Sequence, residues 1–315
     1  MAKVLAGDIL DRMARERIRE LWLVPGSVPV YRKEDKIEPF SQEKLFPDDI
    51  RQILMNFRSR AALHAGTGIG ESGSFSFGVR GVGRFRVSYV MQRGSYAVFV
   101  FLTGEKPPAL DSLAHDFDVL TALRQMMAAR DGFILIAGPF NVVNFDFTGA
   151  MVDEIIDNSY RVVYTVESPL MYTLRHRKAV AIQCEVGTDV PSVKEGIENA
   201  INIAADVLYV SNVPNKEALN TLLKAIEGGR LIIASILSAG VISGLIGLEA
   251  LAEFPRFYRQ KIAYSLLGVF SPKMTQDEPV IEWVKVNDEV RELILTGNYD
   301  ELKRYLKISG ASFSV

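Results

Sequence analysis

Hydrophobic and polar positions alternate through three stretches of the first hundred residues. Phe75, Phe77 and Val79 alternate with Ser76 and Gly78. Phe85, Val87 and Tyr89 alternate with Arg84, Arg86 and Ser88. Gly81-Val82-Gly83 supplies a turn between these runs, and residues 96–102 form a third apolar stretch. A period of two predicts strands of an antiparallel sheet with one wet face. Gly104-Glu105-Lys106-Pro107-Pro108 then reads as a linker, because paired prolines stop regular structure.

Beyond the linker the pattern changes to continuous apolar runs separated by amphipathic stretches. Residues 133–137, 161–166, 207–210 and 231–237 read as strands, and 148–156 as a helix. Ser192 with Glu195 has capping-box spacing. Val193, Ile197, Ala200, Ile201 and Ala204 give the helix that follows one apolar face. Ala218, Leu219, Leu222, Leu223 and Ile226 form the next stripe. Residues 288–307 read as two short helices split at Gly297-Asn298. Such alternation predicts a doubly wound α/β domain behind an α+β domain. The predicted division is 1–103 for the first domain, 104–111 for the linker and 112–315 for the second. Residues 231–248 carry no charge, but Gly228-Gly229 before them and Gly240, Gly244 and Gly247 within them favour strand, turn and helix over a membrane span.

Composition narrows the classes. Of 315 residues, 36 are basic and 38 acidic, so no global field favours nucleic acid. Cys184 is the single cysteine, which rules out an internal disulfide and fits a reducing cytosol as a small buried hydrophobe. Residues 1–19 are rich in charge and lack the apolar core of a secretory signal. His64, His115 and His176 are too widely spaced to suggest a metal cluster. Arg175-His176-Arg177-Lys178 reads as a solvated loop before it reads as a nucleic-acid contact.

Open α/β sheets bind ligands where a strand gives way to a helix. Here that place is residues 138–145. A phosphate-binding loop needs G-x-x-x-x-G-K-[ST]. Gly138 fits, but Val143 stands for the second glycine, Asn144 for the lysine and Phe145 for the metal-binding hydroxyl. Valine tolerates positive φ poorly, Asn144 brings no charge, and Phe145 ligates no Mg²⁺. Phe145 and Phe147 are bulky enough to fill the phosphate volume. Each charge-assisted contact is worth roughly 1.5–3 kcal/mol, so losing two or three weakens nucleotide binding by about two to six orders of magnitude. By motif alone this is an ordinary strand–loop–helix joint. The order of the surrounding segments changes that reading.

From about residue 75 to residue 308 the chain resembles the PilT-like pilus and secretion motor ATPases. Residues 75–77, Gly81-Val82-Gly83-Arg84-Phe85-Arg86-Val87 and Gln92-Arg93-Gly94 resemble the strands closing that family's PAS-like N-terminal domain. Residues 132–139 resemble the strand entering its phosphate loop. Thr165-Val166-Glu167-Ser168-Pro169 resembles its aspartate box, and Asp206-Val207-Leu208-Tyr209-Val210-Ser211-Asn212 its Walker B strand. Gly229-Arg230-Leu231 through Leu237 lies where its histidine box falls. Phe254-Pro255-Arg256 and residues 288–294 resemble its C-terminal helices. The resemblance implies a PAS-like α+β domain followed by a RecA-like doubly wound α/β domain.

The departures concern chemistry. Asn212 stands where the Walker B glutamate is expected, and an amide is a poor proton acceptor near neutral pH. Leu237 stands where the histidine is expected. Glu167 matches, but Ser168 replaces the neighbouring aspartate. Phosphoryl transfer depends on such positioning and electrostatics. Resemblance and departures together imply a non-catalytic subunit that binds ATP and Mg²⁺ weakly or not at all. Such a subunit would form its own ring hexamer, join a mixed ring with an active motor ATPase, or engage an inner-membrane platform protein. It would be cytoplasmic or peripheral at the inner membrane, without nucleic acid. The alternative is a slow ATPase with Glu167 as base and Arg230 or an N-terminal-domain arginine in place of the lysine. Arg84, Arg86, Arg93 and Arg230 are the anion contacts that the resemblance suggests, the first three against a plain reading as a solvated strand face.

Overall fold

The computed structural model describes residues 6–33, 36–61, 69–114, 116–139, 141–275 and 278–309. Two compact units emerge, Met1–Lys106 with Met171–Thr173, and Pro107–Leu170 with Leu174–Val315. The division after Lys106 falls inside the Gly-Glu-Lys-Pro-Pro stretch. The short return of residues 171–173 to the first unit has no signal in the sequence.

The first unit runs α1 (Ala6–Glu16), β1 (Glu20–Leu23), β2 (Val30–Lys33), β3 (Lys36–Pro39), α2 (Pro47–Arg60), β4 (Ser72–Val79), β5 (Gly83–Gln92) and β6 (Ser95–Thr103). Its six strands are antiparallel in the order β3-β2-β1-β6-β5-β4. Alternation decides the faces. Phe75, Phe77, Phe85, Val87, Val98, Val100 and Leu102 bury with Ile9, Met13, Leu54 and Phe57 of the two helices. Arg84 and Arg86 take the other face of β5, where the Arg84 guanidinium donates to Ser76 Oγ at 2.7 Å. Arg93 and Gly94 form the two-residue turn between β5 and β6, with φ of +48° and +75°. Both signs match the primed turns that fit strand twist. The sequence reading found β4 to β6 and missed β1 to β3, four-residue strands too short to display a period.

The second unit runs α3 (Leu110–Leu113), α4 (Phe117–Ala128), β7 (Gly132–Gly138), α5 (Val142–Asn158), β8 (Val162–Glu167), β9 (Val180–Glu185), α6 (Val193–Asn202), β10 (Val207–Val210), α7 (Lys216–Glu227), β11 (Leu231–Leu237), α8 (Val241–Leu251), α9 (Pro255–Ser265), β12 (Leu266–Thr275), β13 (Glu278–Lys285), α10 (Asp288–Thr296), α11 (Tyr299–Leu302) and β14 (Lys307–Ile308). The strand order is β14-β13-β12-β7-β11-β10-β8-β9. Strands β12 through β9 in that order pair in parallel, and β13 and β14 add antiparallel at one edge. Helices cover both faces. Phe133, Leu135 and Ala137 of β7 pack with α6 to α10, whereas Ile134 and Ile136 pack with α4 and α5. Burial on both sides is why these strands read as unbroken apolar runs.

Two expectations need correction. The helix after β7 begins at Val142, six residues earlier than the predicted 148, because Asn141 caps it. Ser192 precedes α6 as predicted, but its hydroxyl meets the Glu195 carboxylate and caps no backbone N–H, so the capping box does not form. Residues 254–287 also hold β12 and β13, which place a hairpin beside β7. The uncharged run at 231–248 is β11, a turn and most of α8. Among the described residues no helix is long and apolar enough to cross a membrane.

Candidate functional site

The helices following the neighbouring strands β7 and β11 go to opposite faces. Phe147, Ala150 and Met151 of α5 belong to one core, and Val241, Leu245 and Leu248 of α8 to the other. This divergence marks the C-terminal ends of β7 and β11 as the ligand position of an open α/β sheet. Gly138 ends β7 in register with Leu237, which ends β11. The Ser238 N–H donates to the Gly138 carbonyl at 3.1 Å.

Local chemistry closes the α5 end of this crevice. Asn141 is extended at the N-cap, and its Oδ1 accepts from the Asn144 N–H at 3.1 Å. Its carbonyl accepts from the Phe145 N–H at 3.2 Å. The Asn144 and Phe145 backbone donors are therefore engaged within the chain. The Asn144 side chain is buried; Nδ2 donates to the Pro139 carbonyl at 3.3 Å, and Oδ1 has no partner. A Cβ on Gly138 would lie 3.2 Å from Asn144 Nδ2, so this amide packs against the glycine. Val143 is half-buried. Phe145 is buried, while Phe147 points into the core with its ring 6.4 Å from Phe270. Phe147 is thus a core residue and does not fill the phosphate volume.

Further along the same edge, Glu167 ends β8. It is three strand spacings from β7, about 14 Å. Glu167 is buried, and it accepts from Thr165 Oγ1 at 2.6 Å and Gln183 Nε2 at 3.2 Å. Tyr209 of β10 donates to Thr148 Oγ1 at 3.0 Å, and Thr148 donates to the Asn144 carbonyl at 2.9 Å. Burial first, then the Glu167 charge, pushes the Tyr209 hydroxyl well above the usual phenol range. A buried polar chain thus runs from the end of β7 towards the Glu167 carboxylate. Sequence reasoning missed Thr148, Tyr209 and Gln183, since each sits in an otherwise apolar pattern. Asn212 is half-buried just after Ser211, whose Oγ accepts from the Ser168 N–H at 2.8 Å. Leu237 is 64% exposed.

The remaining candidates of this unit lie elsewhere in it. Arg230 precedes β11 and lies at the opposite end of that strand, about 20 Å away along it. Its guanidinium donates to the Ala205 carbonyl at 3.1 Å and the Ile201 carbonyl at 3.4 Å, closing the C-terminal end of α6. It cannot stand in for the missing lysine within one chain. Arg84, Arg86 and Arg93 belong to the first unit. Arg177 of the basic run pairs with Asp153 at 2.6 Å and with Asp157, a structural tie. The His176 Nδ1 accepts from the Ala181 N–H at 3.1 Å; His64 and His115 lie outside the described residues. Cys184 is half-buried with Sγ 3.0 Å from the Tyr164 hydroxyl, a less apolar setting than expected. Burial and that thiol contact raise the Tyr164 pKa.

The fold is a PAS-like α+β domain followed by a RecA-like doubly wound α/β domain. The crystal structure of the pilus retraction motor PilT with bound ADP matches with a TM-score of 0.77 at 23% identity, covering 96% of this chain and 89% of that one. Among curated proteins, the chain is 22% identical over 228 residues to the type IV pilus ATPase PilU of Pseudomonas aeruginosa, covering 72% of this chain. That match spans 58% of PilU's own length. It is 23% identical over 271 residues to the retraction ATPase PilT of the same organism, covering 84% of this chain and 76% of that protein. No protein-family model matches the chain. The chain is thus similar in sequence to the pilus ATPases PilU and PilT and in fold to PilT.

Proposed function

We propose that this chain is a non-catalytic PilT-like subunit of a type IV pilus or secretion motor, acting through ring assembly or partner binding. The observation that carries the reading is the occupied N-terminus of α5. Asn141 takes the donor of Asn144, and the Asn144 amide packs against Gly138 where a lysine and an open loop are needed. Asn212 and Leu237 add the loss of base and imidazole. The protein would be cytoplasmic or peripheral at the inner membrane, as its own hexamer or in a mixed ring with an active motor. Affinity capture of the full chain from its source cell checks the role. Motor or platform proteins should be recovered in stoichiometric amounts, and their absence from a capture that retains the chain itself contradicts it.

A second reading is favoured by one feature. Glu167 is a buried carboxylate with two hydrogen-bonded neighbours at the ligand edge, as a general base requires. On that reading the chain is a slow ATPase, and Glu167→Gln lowers steady-state phosphate release by about a hundredfold or more. On the non-catalytic reading there is no turnover for the substitution to change. Phosphate release from wild type and variant, compared side by side, separates the two.

A further inference from the structure

The two sheets end on the edge strands β3, β4, β14 and β9. An open edge is a template for further strand pairing, and proteins blunt it with short length, charge, proline or cover. Three of these edges are blunted. β3 has four residues, among them Lys36 and Pro39. β14 has two residues. Along β9, the Ala181 N–H donates to His176 Nδ1 at 3.1 Å, and Gln183 Oε1 accepts from the Leu174 N–H at 2.8 Å. The segment ahead of β9 thus occupies that edge.

β4 shows none of these devices among the described residues. It runs for eight residues, Ser-Gly-Ser-Phe-Ser-Phe-Gly-Val, with no charge and no proline. The Met91 N–H donates to the Glu71 carbonyl at 2.6 Å, so the hydrogen-bonded pairs with β5 fall at odd-numbered residues of β4. Ser72, Ser74 and Gly78 therefore turn their backbone N–H and C=O groups away from β5, and all three are exposed. Phe75 and Phe77 bury on the helix face, which leaves serine and glycine on the other.

Charge identifies the occupant. One acid, Glu71, and one base, Arg80, flank the strand; both are exposed, and neither is ion-paired among the described residues. Consider antiparallel pairing of β4 with β4 of a second copy, about a twofold axis near the middle of the strand. Ser72 then meets Gly78, and each Glu71 comes within a residue of the other copy's Arg80. Parallel pairing in register sets each charge against its like. Symmetric pairing also sets any charge inside the strand close to its own counterpart, and β4 carries none. The same axis keeps Phe75 and Phe77 of both copies on the helix face.

We propose that two copies of this chain join their first-unit sheets antiparallel through β4, with Glu71 and Arg80 as reciprocal charge contacts. The pairing is independent of nucleotide chemistry and of ring assembly. It doubles the mass of whatever species the chain otherwise forms.

Sedimentation velocity of the full chain at low salt, over a micromolar concentration series, reads the pairing. Wild type shows the doubled species. Ser74→Pro removes an N–H that no bond within the sheet uses, so the variant melts near wild type and does not double. Glu71→Arg sets like charges together at both ends and weakens the pairing by about tenfold, as does Arg80→Glu. Combining Glu71→Arg with Arg80→Glu restores it to within about twofold of wild type. Wild type that never doubles overturns the proposal. So does doubling that persists in folded Ser74→Pro, or a combined variant that pairs no better than the single ones. If Ser74→Pro does not fold, Ser74→Lys, which places like charges beside each other in the pair, must weaken the doubling; no weakening overturns the proposal.

Discussion

Replacing Val143, Asn144 and Phe145 together by Gly, Lys and Thr should raise the affinity for Mg-ATP by at least about thirtyfold. Two or three recovered charge-assisted contacts contribute roughly 1.5–3 kcal/mol each. Against this stands the Asn141 cap, which a phosphate must displace from the Asn144 N–H at a cost of about 1 kcal/mol. The gain exceeds the cost even at the low end. Equilibrium titration with Mg-ATP checks it, and unchanged affinity in a folded triple variant would show that the loop does not limit binding. Turnover should stay absent, because Asn212 and Leu237 are untouched.

The largest stability effect should come from Phe270→Ala. Phe270 is fully buried, stacked on Trp283 at 5.9 Å and 5°, and lies 6.4 Å from Phe147. It holds β12 and α5 against one core. Deleting a buried aromatic ring costs about 3–5 kcal/mol, a large share of the roughly 5–15 kcal/mol that sustains a domain. Urea unfolding should show a lower midpoint of that size with the slope little changed. A loss below about 1 kcal/mol would mean the ring is not packed as described.

What the sequence made legible follows from which interactions are local. The central strands β7, β8, β10 and β11 announce themselves because burial on two faces leaves no polar position to confuse the reading. The apolar stripe of α7 is likewise local, whereas its cap, with Asn215 Oδ1 accepting from the Ala218 N–H at 3.0 Å, was not read from the sequence. The strands β12 and β13 were not legible. Gly268 and Pro272 interrupt any simple pattern, and their pairing to β7 and to each other is set by distant residues. The start of α5 was misplaced for a different reason. Asn141 lies inside the 138–145 strand–helix joint, where its cap to a helix starting at 142 carries no separate sequence signal.

The candidate site divides in the same way. Gly138, Asn144, Leu237 and Glu167 could be placed from strand ends, and the fold sets all four along one edge. Arg230 adjoins β11 in sequence, and such proximity does not say which end of the strand a residue occupies.

The loss of nucleotide chemistry is the central claim, and calorimetric titration of the assembled full chain with Mg-ATP, with phosphate release followed in the same sample, tests it most directly. No binding in the micromolar range and no release above the buffer rate are expected. Micromolar binding with steady turnover would contradict it.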